Sequence, residues 1–188
     1  MIPAADSGDM PDVDLALQID DGDWTVALAE LDARAPGWVR AAVAGARRDR
    51  GGNAGPLGAA LYEMGLVFAS DAAVRALNRD WRGKDQPTNV LAFENTDAPP
   101  PGMPWQLGDV VLALGTARDE AEAAGISLDD HAAHLVIHGV LHLFGYDHQD
   151  DDEAARMEAL ETGILAALGI ADPYLSAAGS TAGPDRDP

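Results

Sequence analysis

Between Val13 and Ile19 apolar residues (Val13, Leu15, Leu17, Ile19) alternate with polar or small ones, the period of a half-buried strand. The period then lengthens. Trp38, Val39, Ala42, Val43 and Ala46 make the stripe of a helical region, expected in two pieces around Pro36. A turn rich in Gly, Arg and Pro follows from Arg47 to Gly58, and the aromatic and β-branched stretch Ala60 to Ala69 predicts a second strand. Ser70 or Asp71 can cap a short helix whose Val74, Leu77 and Trp81 face inward. Apolar runs from Thr88 to Phe93 and from Asp109 to Leu114 predict two further strands, with a proline-rich surface loop from Thr96 to Pro104 between them.

Three helices complete the pattern. Thr116 to Ala124 ends at Gly125, and Ser127 caps a long helix with Asp129 and Asp130 at its positive end. Asp150 to Leu168 carries Ala154, Met157, Leu160, Ile164, Leu165 and Leu168 at core spacing. The sum is a single α+β domain with about four strands and about five helices. Its expected limits are residues 12–175, with a flexible acidic N-terminus over 1–11 and a disordered Ala/Gly/Ser/Pro-rich tail over 176–188.

The long helix changes the picture from architecture to chemistry. All five histidines lie between His131 and His148. His138 and His142 are four residues apart, so they share one helix face, and Gly145 can end the helix and turn His148 back toward them. Three neutral imidazoles suit zinc, at about 2.0–2.1 Å each, and leave a fourth position open, as catalytic sites do. The neighbouring apolar residues (Leu135, Val136, Ile137, Val140, Leu141, Leu143, Phe144) predict a central helix that fixes the imidazoles in a metal cleft. His131 and His134 precede the trio at helical spacing and are expected to be supporting or substrate-facing groups. A metal-dependent hydrolase with one Zn²⁺ per chain is the reading these residues support.

Composition narrows it. The absence of cysteine excludes disulfides and thiolate ligands. No basic-then-apolar leader and no apolar run of membrane-spanning length occur, so a cytoplasmic protein without a membrane partner is expected. The net charge of −20 argues against tight binding of free nucleic acid, yet its distribution is uneven. From Arg34 to Lys84 nine Lys/Arg face four acids, a balance of +5, against −25 elsewhere (three basic, 28 acidic). That basic segment is compatible with phosphate binding on one face.

HxxxHxxGxxH is also the ligand spacing of the metzincin proteases, in which a glutamate follows the first histidine as general base. Here that position is Gly139, and a missing general base forfeits about 10²–10⁴ in rate. Phosphodiesters fit better, given a cation for the developing charge. Arg82 and Lys84 stand in a Gly-containing turn leading to a strand, and a guanidinium offers a planar fork to phosphate oxygens.

LNRDWRGKDQPTNVLAF, then LGDVVLAL, then HAAHLVIHGVLHLFGYDH with DDDEAARMEALE after it, resembles the bacterial YbeY family of rRNA-maturation endoribonucleases in order and spacing, from about residue 12 to Tyr174. Ala92 and Glu94 depart from the serine and proline common in that family, and the acidic ends are this chain's own. The resemblance implies a small mixed sheet packed on several helices and a zinc-bound, single-strand-specific endoribonuclease. It implies His138, His142 and His148 as ligands and Arg82 as the phosphate-stabilising catalytic group, with rRNA precursor and the ribosome as partners. His134 and Asp147 are candidates for proton transfer or for support of the ligands. Two other readings stay open: another metallohydrolase with the same ligand spacing, and a ribosome-assembly factor whose metal is structural.

Overall fold

The computed structural model describes residues 12–49, 58–148 and 150–177. The chain runs β1 (Asp12–Ile19), α1 (Asp23–Ala27), α2 (Leu31–Asp49), β2 (Leu61–Ala69), α3 (Asp71–Arg82), β3 (Val90–Glu94), β4 (Trp105–Ala113), α4 (Leu114–Ala124), α5 (Leu128–Leu143), α6 (Asp151–Ala167) and α7 (Pro173–Ala177). Five of these helices are long, as the periodicity predicts; α1 and α7 add five residues each. The strands make one mixed sheet in the order β1-β2-β4-β3, with β1, β2 and β4 parallel and β3 antiparallel to β4. The α+β class expected from the sequence is the one observed.

Alternation along β4 divides the two faces. Val110 and Leu112 point into the main core beside Tyr62, Leu66 and Phe68, where α5 and α2 close over the sheet. Val111 and Ala113 point the other way, to a smaller cluster with Leu91, Val74 and Leu77, where α3 packs. Helix α5 is buried along most of its length, touching β3, β4, α2, α4 and α6. Its central place follows from its composition: a helix apolar nearly all round has to be covered on every side.

Three local expectations change. Pro36 does not divide the helical region. Helix α2 runs continuously from Leu31 to Asp49, and the break falls earlier, where Glu30 takes a left-handed conformation at φ 58. A proline removes one hydrogen bond but keeps a helical φ, and the burial of Trp38, Val39, Ala42 and Val43 offsets that loss. Helix α2 thus includes Arg47, Arg48 and Asp49, where a turn is expected, and the rest of that expected turn, residues 50–57, lies outside the described residues, as do 1–11 and 178–188. Trp81, expected inside, is 74% exposed and touches Phe93 edge-on with ring centroids 6.1 Å apart.

Candidate metal centre

Ser127 starts α5 as predicted, its hydroxyl accepting the Asp130 N–H at 3.0 Å with Asp129 and Asp130 in the first turn. The other end closes on Gly145 at φ 73. The Gly145 N–H donates to the His142 carbonyl (2.8 Å) and the Tyr146 N–H to that of Leu141 (3.1 Å), the paired bonds of a glycine-terminated helix. Tyr146 is buried and its hydroxyl donates to Asp49 of α2 at 2.7 Å, which pins the returning chain. His148 is thereby carried back over the last helical turn.

The result is the convergence that the spacing predicts. Nitrogens of His138, His142 and His148 all lie within 4.8 Å of one another, and the three side chains are half-buried. Ring centroids are 4.6 Å apart for His138 and His142, 5.2 Å for His142 and His148, and 5.8 Å for His138 and His148. Burial, with the neighbouring charges of His138 and His148, pushes the His142 imidazole down to about 4, so it is neutral at physiological pH. Neutral imidazole is the form that ligates.

Behind His138 lies a group that the sequence reading did not single out. Glu161 of α6 is fully buried; one oxygen accepts from His138 Nδ1 at 2.8 Å and the other from His134 Nε2 at 2.9 Å. The Tyr174 hydroxyl of α7 donates to the second oxygen as well. Burial alone would raise the Glu161 carboxyl. The hydrogen bonds from His134 and His138 outweigh it and hold the group well below the usual carboxylate range. With His138 donating through Nδ1, its Nε2 faces the Nε2 of His142 at 3.0 Å. Two imidazole lone pairs that close repel unless a proton or a metal cation lies between them, and a three-nitrogen donor set suits a divalent transition metal. The residues present therefore fit a metal ion.

The sequence does carry a signal for Glu161. It sits four residues after Met157 and three before Ile164, a carboxylate on the apolar face of α6. Tyr174 gives no comparable signal, since it follows α6 in a short helix whose docking is tertiary.

The remaining candidates fall elsewhere. His134 is buried against Glu161, not among the three half-buried nitrogens. His131 turns to α4, its Nε2 2.7 Å from Glu120, which also accepts from Asn89. Arg82 is the exposed last residue of α3, and among the described residues no hydrogen bond or ion pair joins it to the histidines. Asp147 is half-buried and accepts the His148 backbone N–H at 2.7 Å. Gly139 faces β4: a Cβ built there would lie 2.5 Å from Val110 Cγ1. The position that holds the general base in metzincins is thus turned into the core, where no glutamate fits.

Comparison with known proteins gives one answer. The family model described as Endoribonuclease YbeY matches residues 48–169. The Endoribonuclease YbeY of Paramagnetospirillum magneticum is 52% identical over 166 residues, covering 86% of this chain and 96% of that protein. That of Rhizobium meliloti is 45% identical over 166 residues, 88% of this chain and 96% of its own length. That of Rhodospirillum rubrum is 57% identical over 121 residues, 62% of this chain and 60% of its own.

Proposed function

This chain belongs to the Endoribonuclease YbeY family, and from that premise we propose that it is a single-strand-specific, metal-dependent endoribonuclease acting in rRNA maturation, at the 3′ end of 16S RNA, and in ribosome quality control. The observation that carries the reading is the convergence of three half-buried imidazoles with no carboxylate among them. His138, His142 and His148 hold one Zn²⁺ per chain. When bound, zinc supplies Lewis acidity toward a phosphoryl oxygen and lowers the pKa of water toward about 7.

The chain's own residues do the rest. Arg82 pairs its guanidinium with the scissile phosphate and stabilises the charge that builds on its oxygens. His134 serves from behind, holding Glu161 in place through the bond it already makes. Peptide hydrolysis is disfavoured because position 139 cannot present a carboxylate to the site. The net charge of −20 makes free RNA a weak ligand at physiological salt, which supports a ribosomal partner in the cytoplasm as the route to the substrate.

The test is metal content and single-stranded RNA cleavage measured together on highly purified protein. Wild type should hold about one zinc per chain and cut RNA. His142→Ala should lose both metal and activity, and Arg82→Ala should keep the metal and lose the activity. Equal residual cleavage in all three proteins would mark a contaminant and sink the nuclease reading.

A further inference from the structure

We propose that Glu161 is the positioning residue of this centre: it fixes His138 in the Nδ1–H tautomer so that Nε2 faces His142 and His148, while His134 and Tyr174 hold its carboxylate in place. The inference rests on the metal-centre reading of the three histidines and assigns residues that reading does not use.

A histidine can ligate only through the nitrogen without a proton, so a site built on a helix must choose its tautomer. Glu161 makes the choice for His138. It is wholly buried, and an ionised carboxylate only accepts, so every proton in its bonds belongs to a partner. The proton on His138 is therefore on Nδ1, 2.8 Å from Glu161, and Nε2 carries the lone pair. His134 is committed in the opposite sense, with its proton on Nε2 toward the other oxygen at 2.9 Å. Its Nδ1 is buried and has no hydrogen-bond partner among the described residues. That orphaned nitrogen is offset on the Nε2 side, which faces the Glu161 carboxylate and lies 3.4 Å from the Tyr174 hydroxyl.

Tyr174 supplies the third donor from α7, and that helix is itself placed by Asp172, which accepts the Tyr174 N–H at 2.9 Å and the Thr162 hydroxyl at 3.3 Å. Three donors on one carboxylate hold a fixed acceptor against His138 on the side away from His142 and His148, which sets the orientation of the ligating ring.

Two measurements decide it. In metal-free protein carrying ¹⁵N-histidine, the two-bond ¹H–¹⁵N correlations of the ring should show His138 as the Nδ1–H tautomer at neutral pH. The Nε2–H form would overturn the proposal without any variant. Co²⁺ titration, followed by visible absorption and chelator competition, should then show binding weakened about tenfold to a hundredfold in Glu161→Gln. Glutamine must turn its amide NH₂ toward one of the two histidines, so one bond is lost or reversed. Tyr174→Phe should weaken Co²⁺ binding less. Folded Glu161→Gln protein that binds Co²⁺ as tightly as wild type would overturn the proposal and leave the metal centre standing. Wild type that binds no Co²⁺ would overturn the metal-centre reading itself, and this one with it.

Discussion

Gly139 shows how one missing side chain can set both packing and chemistry. Its hydrogen faces the methyl groups of Val110, a β-branched residue fixed within a fully buried strand face, so neither partner has room to yield. Gly139→Ala should lower stability by up to about 2 kcal/mol, because overpacking costs about 1–3 kcal/mol against about 1 kcal/mol regained in helix propensity. A urea denaturation midpoint above that of wild type would refute the close approach. Trp81 is the converse case, a large apolar residue in the open. Trp81→Ala should change stability by no more than about 0.5 kcal/mol, whereas Trp24→Ala, at a fully buried ring whose Nε1–H donates to the Ala69 carbonyl, should cost about 3–5 kcal/mol. Thermal unfolding of the two variants side by side distinguishes them.

Helix α4 starts without a cap of its own: Ala113 stands at the N-cap and offers no side-chain acceptor. Asp71, at the head of α3, fills the role across the fold. Its oxygens accept the N–H groups of Gly115 (2.7 Å) and Thr116 (2.8 Å) and the Thr116 hydroxyl. Burial pushes the Asp71 carboxyl up, but these hydrogen bonds outweigh it and set it below its ordinary value. A depressed carboxylate stabilises the fold above its unfolded-state pKa, and that contribution is lost as the pH falls through the folded-state value. Asp71→Asn should therefore cost about 1–3 kcal/mol at neutral pH, and the gap from wild type should close on acidification below the carboxylate range. A gap that stays constant down to acid pH would show that the charge is irrelevant. Local signals made most of the elements legible in the sequence: period 2 for β1, the Ser127 cap and Gly145 stop of α5, the stripe of α6. What escaped depends on partners distant along the chain. Pro36 is carried because α2 is buried, Trp81 is exposed because α3 covers only the small rear cluster, and the use of Asp71 is decided 44 residues away. The same holds at the site, where three ligand candidates could be read from one short segment but Glu161 and Tyr174 come from two later helices.

Over the molecule as a whole, an excess of negative charge surrounds a basic stretch from Arg34 to Lys84, and some of that stretch is locally neutralised, as by the Arg75–Asp85 and Arg79–Asp80 pairs. Binding to naked single-stranded RNA should therefore be weak at about 0.15 M salt and strengthen as salt is lowered; tight, salt-insensitive binding would contradict this view of the surface. Resistance to opening is uneven as well. Helix α5 is packed against sheet and helices along most of its length and open only along its histidine edge, so the amides from Val136 to Leu141 should exchange their hydrogens only when the entire fold opens. His148 stands beyond Gly145, outside the helical ladder, on a returning chain that Tyr146 joins to Asp49 and with its N–H donating to Asp147. Of three fingers closing on one point, two belong to the palm and one is jointed. An ion held there would come and go through the jointed finger, so its residence time would follow the opening of a short loop and not the lifetime of the fold.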